Sequence, residues 1–142
     1  MRAIMTSLLI LSVNLINLSA FPLHGPKNPG DHKDLLGKWK VIYDDESFKG
    51  EVIYEVKLEG EKVKGYAISY QDESGQTNAM EELVLQLKSY KKGKGKGTYS
   101  VDYEGTRYDM NCTLKLVSPR ELTVSYTYYG YNGTEQWIRM ND

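Results

Sequence analysis

Cysteine, histidine, phenylalanine and long apolar runs are all scarce in this chain, and each scarcity removes a possibility. Among 142 residues Cys112 is the sole cysteine, so no disulfide can form within the chain and the fold must rest on an apolar core. The two histidines, His24 and His32, both fall in the proline-bearing segment FPLHGPKNPGDHKD at residues 21–34. Neither is positioned to activate Cys112 or a serine as a nucleophile, or to complete a His/Cys zinc site. An excess of one charge is also missing. Eighteen Lys and Arg stand against nineteen Asp and Glu, a net charge of −1, which argues against a nucleic-acid binder that works by covering phosphates. The GKGKGT run at residues 93–98 lacks the P-loop spacing and a following helix, and reads as a solvated turn. Neither Asp44-Asp45-Glu46 nor Asp72-Glu73-Ser74-Gly75 carries a calcium-loop consensus. No catalytic residue, metal ligand or cofactor follows from these patterns.

The most apolar stretch, Leu8–Leu18, is interrupted by Ser12, Asn14 and Asn17, and falls short of the roughly 20 apolar residues a membrane-spanning helix needs. Behind Arg2 and ahead of the small Ala20, it reads as a secretory signal peptide over residues 1–20. Removing twenty residues from 142 leaves 122 and takes Arg2 away, for a net charge of −2. The expected mature protein is exported, to the periplasm or the medium, with no membrane span after cleavage. Residues 21–34 read as a flexible lead-in and residues 35–142 as one domain.

Within that domain the apolar period is two, the signature of half-buried strands. Trp39, Val41 and Tyr43 alternate in Lys38–Asp44; Val52, Tyr54, Val56 and Leu58 alternate in Glu51–Glu59. Lys62–Tyr70 follows, with Gly65 a candidate bulge, then Glu82–Ser89 with Leu83, Leu85 and Leu87 on one face, where a short helix is the alternative. Thr98–Tyr103, Arg107–Leu116, Glu121–Tyr128 and Thr134–Met140 complete eight strands. Turns are expected at Glu59-Gly60-Glu61, Glu104-Gly105-Thr106, Ser118-Pro119-Arg120 and the hairpin dipeptide Asn132-Gly133. Eight sequential antiparallel strands lose their exposed edges by closing into an up-and-down barrel, with a sandwich as the alternative.

A barrel sorts its loops between two ends. Loops 44–50, 71–80, 104–106 and 130–133 would share a rim bearing Asp44, Asp45, Glu46, Asp72, Glu73 and Glu104 against Lys49. The opposite rim would carry the 90–97 loop, with Lys91, Lys92, Lys94 and Lys96, together with Arg120. Tyrosine is abundant, at twelve against two Phe and two Trp. Tyr43, Tyr54, Tyr99, Tyr103, Tyr108, Tyr126 and Tyr128 fall on the inward faces. A dry core has less need of hydroxyls that require partners, so these seven are the candidate lining of a ligand cavity. Cys112 shares the face of Met110 and Leu114 and reads as an inert core thiol.

Gly37-Lys38-Trp39 at the start, with Trp137-Ile138-Arg139 at the end, resembles the lipocalin and calycin arrangement. That resemblance implies a Trp closing the barrel floor with an Arg lying across it, so Gly37, Trp39, Trp137 and Arg139 become structural closure residues. The spaced set Gly37, Trp39, Tyr99, Asp102, Gly105, Tyr108, Leu114, Leu122, Gly130, Trp137 and Arg139 is similar to the bacterial exported family catalogued as domain of unknown function 2147. Tyr103 stands where that family's turn has proline. The resemblance implies a small lipocalin-like barrel behind a signal peptide and no catalytic residues. The leading expectation is a non-enzymatic exported barrel that binds a small apolar or amphipathic ligand. An acidic mouth would disfavour fatty acids and prefer neutral or cationic ligands. The alternative is a packed barrel that contacts an envelope protein or glycan through its loops or the Tyr129–Tyr131 tip. An enzyme using rim carboxylates is a third class, with no substrate to suggest.

Overall fold

The computed structural model describes residues 32–46 and 48–141; the expected signal peptide and most of the lead-in lie outside the described residues. A 3-10 turn, His32–Leu35, leads into eight strands: β1 Gly37–Asp44, β2 Lys49–Glu59, β3 Lys62–Asp72, β4 Thr77–Lys91, β5 Lys94–Tyr103, β6 Thr106–Ser118, β7 Glu121–Tyr128 and β8 Tyr131–Arg139. Each strand pairs antiparallel with the next, and β1 returns to β8 in a closed up-and-down barrel.

Three two-residue connections, Lys92-Gly93, Glu104-Gly105 and Tyr129-Gly130, hold both residues at positive φ. That backbone twist matches the twist of the strands it joins. The last of these corrects an expectation. Asn132-Gly133 is not the β7–β8 turn; it lies inside β8, opposite Thr127 and Tyr126. The observed register sets Trp137 beside Leu122 and Glu135 beside Val124, all buried. A turn at 132–133 would have put Trp137 opposite Tyr128, near the rim. Gly133 has a different use: a Cβ there would come within 2.3 Å of the Tyr126 ring.

The lysine–glycine run is likewise strand and not loop. Only Lys92-Gly93 turns, while Lys94 and Lys96 face outward from β5 and Gly95 and Gly97 are buried. The alternation was present but hidden, because its inward residues are glycines. A Cβ on Gly97 would sit 2.2 Å from the Gln86 carbonyl oxygen, so close approach to β4 demands glycine. The expected 71–80 loop also shrinks to a turn, since β3 runs to Asp72 and β4 begins at Thr77.

Bulges decide what faces inward on β3 and β4. Gly65 pairs with Leu85 and Tyr66 with Leu83, so Val84 is an extra residue that turns the strand over. Below it Leu85 and Leu87 are buried as expected; above it Leu83 does not share their face, because its partner Tyr66 faces out. Glu82, paired with the buried Ala67, points in. A second irregularity, between Ile53 and Tyr54 on β2, pairs Val52 with Tyr70 and brings Tyr70 inside.

The barrel closes at its lower end through Arg139. The guanidinium lies over the Trp39 ring, 4.2 Å from its centroid. Its Nη1 donates to the Leu36 carbonyl at 2.7 Å, its Nε to the Pro119 carbonyl at 2.9 Å, and its Nη2 to the Asp34 carbonyl. Gly37 makes room, because a Cβ there would lie 2.9 Å from Nη1. Trp39 donates its indole N–H to the Leu35 carbonyl at 2.9 Å. Leu35 itself is buried, so the 3-10 turn ahead of β1 forms part of the floor. Only Trp39↔Arg139 and Lys40↔Ile138 pair across the β1–β8 seam, which leaves the side chain of Arg139 much of the closing.

Candidate functional site

The two halves of the barrel interior differ. Trp39, Trp137, Leu35, Leu85, Leu122, Val56 and Val124 fill the lower half, with almost no exposed surface. The upper half is a cup open at the end carrying the β1–β2, β3–β4, β5–β6 and β7–β8 turns. Two adjoining cavities of about 430 and 510 Å³ occupy it and share Val101 and Tyr126 in their walls. This is the rim expected to be acidic, and Asp44, Asp45, Glu46, Asp72, Glu73 and Glu104 all belong to its strand ends and turns. The opposite end is mixed rather than basic: its Gly60-Glu61 turn adds Glu59 and Glu61 to the lysines of the β4–β5 turn.

The larger-ringed side of the cup begins with Tyr43 and Phe48, ring centroids 5.3 Å apart, and continues to Tyr70 at 5.2 Å from Phe48. Deeper in, Tyr54 stacks on Trp137 at 4.3 Å and Tyr99 leans on Tyr126 at 4.8 Å. The second cavity is walled by Tyr103, Tyr108, Tyr126, Tyr128 and Tyr131, with Met110 at its base. All seven tyrosines read from the sequence therefore line one cavity or the other. Their depths differ. Tyr54 and Tyr99 are buried, Tyr43, Tyr108, Tyr126 and Tyr128 are half-buried, and Tyr103 is 61% exposed at the rim. Tyr103 shares the alternate face of Tyr99 and Val101 but stands at the end of β5, on the rim of the cavity it helps to wall.

At the bottom of the cup sits a residue absent from the sequence-based candidates, Glu135, 8% exposed. Tyr99 donates to both of its carboxyl oxygens, at 2.9 and 3.0 Å; Tyr126 donates to Oε2 at 3.2 Å; the Trp137 indole N–H donates to Oε1 at 3.0 Å. Behind Tyr99 the network continues through Tyr54, at 3.5 Å between hydroxyl oxygens, to Tyr43, at 2.6 Å. It thus links β1, β2, β5, β7 and β8 across the interior. Burial holds the Glu135 carboxyl above its ordinary value, against the lowering effect of the bonds from Trp137 and the tyrosines. Glu135 lies two residues before Trp137, on the same face of β8; period-two reading from that tryptophan is the signal that finds it. Tyr70 and Glu82 left no such signal, because the bulges reverse the alternation.

At the mouth Glu82 and Asp102 come together, and their hydrogen bond raises the Glu82 carboxyl above its usual value while Arg107, 3.8 Å from Glu82, opposes the rise. Arg107 also donates to the Leu83 carbonyl, at 2.6 Å, beside the bulge. Above the Leu85↔Tyr99 pair the β4–β5 ladder stops, so the cup also opens sideways there. The unpaired upper part of the β1–β8 seam is a further cleft, of about 580 Å³, that reaches Glu135 between Val41–Asp44 and Thr134–Gln136. Cys112 is buried and burial pushes its thiol up to about 11, as suits a core group and not a nucleophile.

Burial also raises the hydroxyls of Tyr43, Tyr54, Tyr99 and Tyr126 well above the ordinary phenol value. A phenol whose folded value is raised contributes stability that is fully present below the ordinary value of 10.0 and is lost as pH climbs past it. In an alkaline titration these four phenols are expected to ionise only as the barrel unfolds, their ultraviolet phenolate absorbance rising together with loss of the strand circular-dichroism signal. Complete ionisation of the tyrosines in a barrel that keeps its strand signal would contradict the network.

No family model, curated protein or solved structure matches the chain.

Proposed function

We propose that this chain is an exported, non-enzymatic barrel that holds a small apolar or amphipathic molecule in the cup at its acidic end. The observation that carries this reading is the division of the interior. A fully packed barrel would offer a ligand nothing, but here only the lower half is filled, and the upper half presents tyrosine rings with hydroxyls among them. Such a wall suits a ligand with an apolar body and a few polar groups, since ring faces supply contact area and hydroxyls fix orientation. Export rests on residues 1–20 and on the resemblance to exported barrels. We read the cup's chemistry as binding chemistry: the hydroxyls of Tyr43, Tyr54, Tyr99 and Tyr126 bond to one another and to Glu135, and Cys112 is a buried thiol with a raised value.

Native mass spectrometry of the mature protein, expressed with its own first twenty residues and purified gently, is expected to show a discrete non-covalent adduct lost on denaturation. A clean protein mass, together with failure to take up an apolar fluorescent dye, would overturn the carrier reading. A second reading rests on the β7–β8 tip, where Tyr129 is 92% exposed at positive φ, an aromatic side chain displayed to solvent on a tight turn. There the barrel is an interaction module for an envelope protein or glycan, and capture of that partner is lost in Tyr129→Ala while dye uptake is unchanged.

A further inference from the structure

We propose that the ligand of the cup is an organic cation, a primary or secondary ammonium group on an aromatic or aliphatic body, seated among the tyrosine rings above Glu135. The proposal rests on the carrier reading and specifies its ligand. Three independent features of the cup converge on it.

The first is charge. The cup is lined by Asp45, Glu82, Asp102 and Glu135, and none of the described residues lining its two cavities is Lys, Arg or His. Of the nearby cations, Arg107 contacts Glu82 at the mouth as well as Asp109 and offsets part of that charge, whereas Lys49 lies 3.9 Å from Asp44 on the rim and Lys40 lines the seam cleft on the outer side. Field lines from carboxylates in a low-dielectric concavity concentrate toward the mouth, which draws in cations and repels anions.

The second is the direction of the hydroxyl protons. Tyr99 and Tyr126 each have one O–H, and both are committed to Glu135. The 2.6 Å contact between Tyr43 and Tyr54 uses a third. A phenol that has given its proton to a neighbour keeps its lone pairs for accepting. The polar surface left for a ligand around Glu135 is therefore rich in acceptors and poor in donors, the complement of an ammonium N–H. A carboxylate or phosphate seated there would meet oxygen lone pairs and the Glu135 carboxyl.

The third is the rings. Tyr43, Phe48, Tyr70, Tyr54, Tyr99 and Tyr126 surround the deeper cavity from several strands. Aromatic faces carry negative quadrupole charge and attract cations, with more gain where water is excluded. Glu135 behind them strengthens the attraction through the phenols, and acts as a counter-charge that the ligand need not touch.

The test uses three probes of nearly equal size on the mature protein: 2-phenylethylammonium, 2-phenylethanol and 3-phenylpropanoate, titrated calorimetrically at neutral pH and low salt. The ammonium is expected to bind at least tenfold tighter than the alcohol, and the carboxylate not at all, with the ammonium's advantage shrinking as salt is added. Glu135→Gln is expected to remove most of that advantage by weakening the ammonium far more than the alcohol; Asp102→Asn, at the mouth and away from the buried network, is expected to weaken ammonium binding severalfold. If the alcohol or the carboxylate binds as well as the ammonium, the cation assignment is wrong and the carrier reading survives. If none of the three binds and an apolar dye is also refused, both fail together.

Discussion

Arg139→Ala is expected to lower the unfolding free energy by about 3 kcal/mol, the larger part from three lost hydrogen bonds of a charged donor and the rest from the lost stack on Trp39. The reason is topological. Every other neighbouring pair of strands has a ladder of at least six paired residues, but β1 and β8 share two. Arg139 makes up the difference by reaching the carbonyls of Asp34, Leu36 and Pro119, which belong to the entrance turn and the β6–β7 turn. Arg139→Lys keeps the charge but loses the planar fork that reaches several acceptors at once, so it is expected to recover less than half of the loss. Urea unfolding measures both: the midpoint should fall while the slope holds. A loss in Arg139→Ala below about 1 kcal/mol, the range of an exposed ion pair, would mean that the seam closes without it.

Glu135 carries the second large effect, and its size depends on what replaces it. Glu135→Leu keeps the volume but strands the Trp137 N–H and the hydroxyls of Tyr99 and Tyr126, at an expected cost of about 3 kcal/mol. Adding Trp137→Phe should cost less on top of Glu135→Leu than in the wild type, because the stranded donor is then gone; a double-mutant cycle measures that coupling. Glu135→Gln keeps an acceptor for Trp137 and is expected to cost about 1 kcal/mol or less at acidic pH. The pH profile then separates charge from shape. The folded Glu135 carboxyl sits above its ordinary value of 4.5, so the folded state holds the proton more tightly than the unfolded chain does. Its contribution is full below the ordinary value and is lost as pH rises through the folded value. Glu135→Gln cannot lose a proton, so its stability should gain on the wild type as pH increases across that window. Parallel melting-temperature profiles for the two proteins would show that Glu135 is not under burial strain.

The two predictions address the two ends of one interior. The floor, built on Trp39 and Arg139, makes the barrel a closed object; the polar network above it holds the deepest part of the cup open. Tyr54 joins them, stacked on Trp137 below and hydrogen-bonded to Tyr43 and Tyr99 above. Perturbing Glu135 should therefore be felt in both stability and binding, whereas perturbing Arg139 should be felt mainly in stability. The proposed carrier role and the cation preference depend on that separation.

Period-two patterning by itself determined the strand count and, for a closed barrel, the end at which the acidic turns collect; the pairing of β1 with β8 decided barrel over sandwich. It also places six of the seven candidate tyrosines at least half inside the cup, and counted back from Trp137 it reaches Glu135. These are consequences of local chemistry: strand residues alternate, and turns need residues that accept positive φ. Tertiary structure decided the rest. Gly95 and Gly97 read as loop because a glycine carries no side chain to show its face, and only contact with β4 reveals why none fits. Asn132-Gly133 has better turn chemistry than Tyr129-Gly130, yet the buried layer of Leu122, Val124, Glu135 and Trp137 sets the register and moves the turn. Tyr70 and Glu82 enter the cup because bulges beside Ile68 and at Val84 reverse which side of the strand faces in. A bulge is a property of two paired strands, so no single strand's sequence records it.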